Sequence, residues 1–99
     1  MCGAPAQTLD LEGIDVAKET IVQGTVTRAG EPVGGAYVRL LDDGGEFTAE
    51  VVTSATGAFR FFAAPGTWML RALAPGATGE QTLAATQGEV TEAAIALPA

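Results

Sequence analysis

The 99-residue chain has no histidine, no asparagine and a single cysteine, Cys2. Without histidine, Ser-His-Asp and Cys-His catalytic arrangements cannot be built. A zinc site with imidazole ligands is excluded as well, and one thiol cannot make a thiolate cage or an internal disulfide. Basic residues are also scarce: five against twelve acids, for a net charge of −7. That balance disfavours phosphate backbones and anionic membrane surfaces, both of which need clustered Lys and Arg. No apolar run approaches the length of a membrane span. Residues 1–20 carry acids in place of a secretory apolar core, and only Met1 precedes Cys2. The expectation is a cytoplasmic protein that binds neither nucleic acid nor membrane. Aromatic residues make up 6% of the chain, so its core is thin and each large apolar side chain counts.

Glycine and proline, by contrast, are well supplied, and they punctuate the chain from Thr20 onward. Between them lie seven short apolar or alternating runs, over residues 20–28, 36–42, 46–54, 58–63, 67–73, 80–86 and 89–97. Turn signals about every ten residues are the pattern of an all-β sandwich or barrel. Two of the turns are read as loops over residues 29–35 and 74–79. The alanine-rich run at 80–87 has a helix as its alternative reading, opposed by Thr82, Thr86 and Gly88. Residues 1–19 show neither alternation nor a helical stripe. They read as an extended N-terminal arm that docks through Leu9, Leu11 or Ile14, with residues 20–99 as the folded domain.

The order of these signals is specific. Val22-Gly24-Val26 places a glycine between apolar strand positions. Gly30 to Leu40 follows the pattern G-x-P-V-x-G-A-x-V-x-L with one residue inserted around Gly34-Gly35. Ser54 to Phe61 and Pro65 to Leu70 supply a turn before F-x-F and a P-G-x-(aromatic)-x-L strand. Together they resemble the carboxypeptidase regulatory-like domain, a transthyretin-like sandwich, across about residues 20–97. Ala55 stands where that family usually has aspartate, and Trp68 where it has tyrosine. The resemblance implies a seven-stranded Greek-key β-sandwich. The second, third, fifth and sixth runs would form one sheet, and the first, fourth and seventh the other. The opening "MCGAP" and the segment from Gly35 to Leu73 also resemble a small actinobacterial family of SseC-like proteins of unknown function. Its association with thiosulfate sulfurtransferases of the rhodanese type implies a place in sulfur metabolism.

Period-two alternation then sorts the side chains. Val22, Val26, Val38, Leu40, Val51, Phe59, Phe61, Trp68, Leu70, Leu83, Ile95 and Leu97 are expected inside, with Trp68 at the centre. Tyr37, Arg39, Glu50, Met69 and Arg71 are expected together on the outside of one sheet. Arginine, methionine and aromatic residues are enriched at protein interfaces. The same set equally describes a solvated ladder in which Glu50 answers Arg39. Arg60 and Phe62 should face outward from the other sheet, where an exposed Phe62 suits an interface or a cover formed by the arm. Asp42–Glu46 reads as a hairpin turn before it reads as a Ca²⁺ loop, since its spacing matches no EF-hand.

Cys2 remains. Methionine aminopeptidase removes Met1 ahead of a small residue, so Cys2 is expected to carry the α-amino group. A cation beside a thiol favours the thiolate, the nucleophilic form. An inert terminal residue is the plainer alternative. With the resemblance, the expected function is a non-catalytic accessory protein that binds a rhodanese-type sulfurtransferase, with Cys2 as sulfur acceptor or carrier. The alternatives are an interaction module without thiol chemistry and a sandwich that binds a small ligand or metal. No cofactor is expected, and exposed edge strands leave a homo-oligomer open.

Overall fold

The computed structural model describes residues 13–98. Its elements in chain order are β1 (Ile21–Arg28), β2 (Glu31–Pro32), β3 (Tyr37–Leu41), β4 (Phe47–Val52), β5 (Ala58–Phe62), β6 (Gly66–Ala74), β7 (Ala77–Ala85) and β8 (Val90–Leu97). They form two sheets. In the first, β1 is bordered on one edge by β5 and then β2, both antiparallel, and on the other by β8, parallel, along all eight residues. The second runs β4-β3-β6-β7, antiparallel throughout. The expected division of strands between the sheets is the one observed.

Two local readings are corrected. Residues 29–35 are not a single loop: Ala29 and Gly30, at φ 54° and 82°, make a two-residue turn that folds β2 back onto the end of β1. Positive φ at both central positions is the type I′ pattern that suits the twist of a hairpin. Residues 74–79 are likewise mostly strand. Pro75 and Gly76 alone connect β6 to β7, with Ala74 opposite Ala77. Residues 80–87 are strand up to Ala85, as expected, and not the alternative helix: β7 completes its ladder against β6, and a helix there would abandon six paired positions.

The core lies between the sheets. Val22, Val26, Val38, Leu40, Phe59, Phe61, Leu70, Ile95 and Leu97 are buried as expected. Val51 and Leu83 are half-buried, since they lie on the edge strands β4 and β7. Trp68 is not the centre: its ring packs at the margin of the core, and its indole N–H donates to Ala64 O at 2.7 Å. A polar N–H needs a partner, and the rim supplies a backbone carbonyl that the centre lacks. Phe59 is the largest fully buried side chain, with Phe61 tilted beside it at a centroid distance of 6.2 Å.

Strand β1 is enclosed on both faces. Its inner side chains, Val22 and Val26, sit in the core, yet Ile21 and Gln23 on the outer face are also 0% and 3% exposed. Gly24 lies between Val22 and Val26, opposite Phe59 on β5 and Ala93 on β8. A Cβ at Gly24 would stand 1.8 Å from the Ala93 carbonyl oxygen, so only glycine admits this approach of the two backbones. Among residues 13–20, Asp15 O accepts from the amides of Lys18 and Glu19, closing a turn. Gly88 N then donates to Glu19 O, tying the segment to the β7–β8 connection. Ile14 is half-buried; Leu9 and Leu11 lie outside the described residues.

Two denaturation experiments check this core. Phe59→Ala should cost about 3–5 kcal/mol in urea unfolding, and Trp68→Ala clearly less, because its site opens to solvent. Gly24→Ala should lower the melting temperature more than alanine at any exposed position, because the Ala93 carbonyl must move to admit a methyl group.

Candidate functional site

The outer face of the β4-β3-β6-β7 sheet collects most of the residues singled out in the sequence. Strand register aligns Glu50, Arg39, Arg71 and Glu80 in one row across all four strands. Arg39 Nε donates to Glu50 Oε2 at 2.7 Å, and Arg71 Nε donates to Glu80 Oε2 at 2.6 Å. The row therefore reads acid, base, base, acid. Two of the chain's five basic residues meet here side by side.

Apolar rows flank the ionic one. On one side run Val52, Tyr37, Leu73 and Thr78; on the other, Phe47, Leu41, Met69 and Thr82. Tyr37 is 52% exposed and Phe47 57%, so large apolar surface stands on both sides of the charges. Leu41 shares the outward side of β3 with Tyr37 and Arg39 by alternation, but it is only 4% exposed. Its register places it between Phe47 and Met69, which shelter it.

Loop contacts hold the Tyr37 end of this face. Thr53, just after β4, accepts from Ala36 N at 2.9 Å and donates to Val33 O at 2.6 Å through one hydroxyl. Gly35 N donates to Thr53 O at 3.0 Å, so the chain entering Tyr37 is tied down on both sides. Across the face, Arg28 at the end of β1 donates to Pro75 O at 2.9 Å and fixes the β6–β7 turn. Between these anchors lies a shallow apolar groove of about 300 Å³, lined by Gly35, Tyr37, Leu73, Ala74 and Pro75.

Tyr37, Arg39, Glu50, Met69 and Arg71 are thus brought together. Phe62 is not with them. It stands on β5 in the other sheet, 56% exposed. Beside it, Arg60 Nε donates to Gln23 Oε1 at 2.8 Å, and Gln23 Nε2 donates to Glu92 Oε1 at 3.1 Å. Cys2 lies outside the described residues. In the Asp42–Glu46 turn, Asp42 Oδ1 accepts from the amides of Gly44 and Glu46, at 2.9 Å each, so its carboxylate serves the turn. Among the described residues no group of three or more acidic, Cys or His side chains is placed to hold a metal ion. No helix among them is long and apolar enough to cross a membrane.

Two members of this face were not anticipated. Phe47 follows the wrong alternation from Glu50. A bulge between Leu40 and Leu41 shifts the register and turns it to the outside. Glu80 pairs with Arg71 because the two stand equidistant from the Pro75–Gly76 turn. Recognising a two-residue turn in that Pro-Gly pair would have revealed the partnership.

A β-sandwich with a mixed apolar and ionic sheet face is the class that fold and face define. The chain belongs to the DUF1416 family, described as proteins of unknown function, which it matches over residues 2–97. A Mycolicibacterium smegmatis protein is 57% identical over 81 residues, which is 81% of this chain and 90% of the relative. An uncharacterised Mycobacterium tuberculosis H37Rv protein, Rv0814c, is 57% identical over 82 residues, covering 81% and 82%. Among solved structures, a DUF3823 family protein from Parabacteroides merdae is similar at a TM-score of 0.60 and 18% identity, over 82% of this chain and 46% of that one. The dioxygenase domain of a Streptomyces sp. SirexAA-E fusion protein aligns at a TM-score of 0.58 and 15% identity, over 99% and 96%. Chlorocatechol 1,2-dioxygenase from Pseudomonas putida aligns at 0.57 and 12%, over 96% and 64%. At these identities the likeness is one of fold, and no catalytic family is indicated.

The ion pairs contribute little to stability. Both are more than a third exposed on at least one partner. Arg71→Ala should therefore change unfolding free energy by no more than about 1 kcal/mol in urea titration.

Proposed function

We propose that the chain is a non-catalytic binding protein that docks through the outer face of its β4-β3-β6-β7 sheet. In this reading residues 1–19 are an arm and residues 20–99 the docking sandwich. One observation carries it: exposed Tyr37 and Phe47 stand on either side of the Glu50–Arg39–Arg71–Glu80 row. An ordinary solvated sheet face carries polar residues at such positions, whereas aromatics beside arginine are the usual anchors of protein interfaces.

The resemblance to SseC-like proteins supports a rhodanese-type thiosulfate sulfurtransferase as partner in the cytoplasm. Cys2 would be the acceptor. Its thiolate attacks the outer sulfur of the enzyme's cysteine persulfide. The persulfide S–S bond breaks, the enzyme thiolate leaves, and a new S–S bond holds the sulfur on Cys2.

Titration with a thiosulfate-loaded sulfurtransferase, followed by intact mass measurement, tests both parts. Binding should weaken at least tenfold in Tyr37→Ala/Phe47→Ala, roughly the loss of one interface anchor. A mass gain of one sulfur atom, absent in Cys2→Ser, is the expected sign of transfer. Binding without that gain leaves an interaction module and removes the thiol chemistry. Full binding by the double alanine variant removes the sheet face as docking surface.

A further inference from the structure

We propose that the β3/β4 half of this sheet face is a self-association surface, and that its occupant is a second copy of the chain. The inference rests on the reading of the face as a docking surface and names a partner for one half of it. The carrying observation is the symmetry of the charges. On the β3/β4 half, Arg39 and Glu50 are direct cross-strand neighbours, and their contact uses only Nε and Oε2. The Nη groups of Arg39 and Oε1 of Glu50 have no bond among the described residues, and both side chains are partly exposed, at 45% and 31%.

A two-fold axis running parallel to the strands, between β3 and β4, lays β3 of one copy over β4 of the other at the same height. Arg39 then faces Glu50 of the second copy, and Glu50 faces its Arg39. Four charges alternate in a closed ring, with each arginine fork reaching two carboxylates. The same rotation sets Tyr37 over Val52 and Leu41 over Phe47, twice each, so apolar layers close the ring on both sides. Packed sheets lie about 10 Å apart, a gap that facing Arg and Glu side chains span.

The alternatives fit less well. The same axis at the centre of the full row would set Arg39 over Arg71 and Glu50 over Glu80 of the second copy, like on like. The β6/β7 half has the same charge pair, but it is flanked by Thr78 and Thr82 and has no exposed aromatic. A uniformly acidic or basic partner would gain at one member of the Arg39–Glu50 pair and lose at the other. Edge-to-edge pairing through β4 is opposed by the bulge at Leu40/Leu41. Each copy carries −7, so the contact must form at an ionic strength that screens distant charges.

Sedimentation velocity of the full chain near 0.15 M salt, over a micromolar to millimolar series, tests the assignment. The wild type should reach twice the chain mass. Arg39→Glu and Glu50→Arg should each stay monomeric, because each puts four like charges in the ring. An equimolar mixture of the two should restore a dimer containing one copy of each. Phe47→Ser, at an exposed position, should lose the dimer with little change in melting temperature. A wild type that is monomeric throughout, single variants that dimerise as the wild type does, or a mixture that stays monomeric would each overturn the proposal. A monomeric wild type that still binds the sulfurtransferase through Tyr37 and Phe47 would leave the docking face standing. A dimer with no such binding would separate the two in the other direction.

Discussion

The close approach of β1 and β8 at Gly24 and Ala93 is the constraint on which the rest of the sandwich depends. A parallel pair eight residues long brings the C-terminal strand against the first one. Ala93, Ile95 and Leu97 are thereby turned into the core beside Val22 and Val26. The Ala93 carbonyl occupies the space that any side chain at Gly24 would need. Phe59 then packs across from a residue with no Cβ, which allows the largest buried ring to sit at the middle of the first sheet. Because β1 also reaches the second sheet, through Arg28 and the Pro75 carbonyl, its placement influences where the docking face ends.

Polar rows are arranged differently on the two outer surfaces, for an electrostatic reason. On the second sheet the arginines meet carboxylates directly, in water, where such pairs cost little to form and contribute little to stability. On the first sheet the central position of the row is buried, and a neutral amide occupies it. Gln23 accepts from Arg60 and donates to Glu92, which avoids desolvating a direct ion pair on an enclosed strand. An acidic chain has thus placed adjacent cations on one exposed face and a neutral amide at the buried centre of the other row.

Much of the candidate site was legible before any coordinates. Alternation alone puts Tyr37 and Arg39 on one side of their strand, and the order of strands makes Glu50 and Arg71 their neighbours. What alternation could not supply was register. The bulge after Leu40 reverses the side on which Phe47 appears, and one bulged residue leaves no mark in a hydrophobic pattern. Leu41 illustrates the same limit: its position in the alternation is outward, yet its neighbours bury it. Trp68 shows another. Size argued for the centre of the core, but the indole N–H required an acceptor, and the acceptor lies at the rim.

The sequence by itself determined the class of fold, because period-two alternation and regularly spaced turn residues act over a few positions and need no distant partner. It determined the absence of histidine chemistry as well, since a missing residue type is missing in any conformation. Only the tertiary structure decided which residues share a face. Glu80 meets Arg71 through a two-residue turn, Phe47 joins Tyr37 through a bulge, and Gln23 is buried on what alternation marks as an outer face. Each depends on contacts between segments far apart in the chain, and these arise only when the sheets assemble.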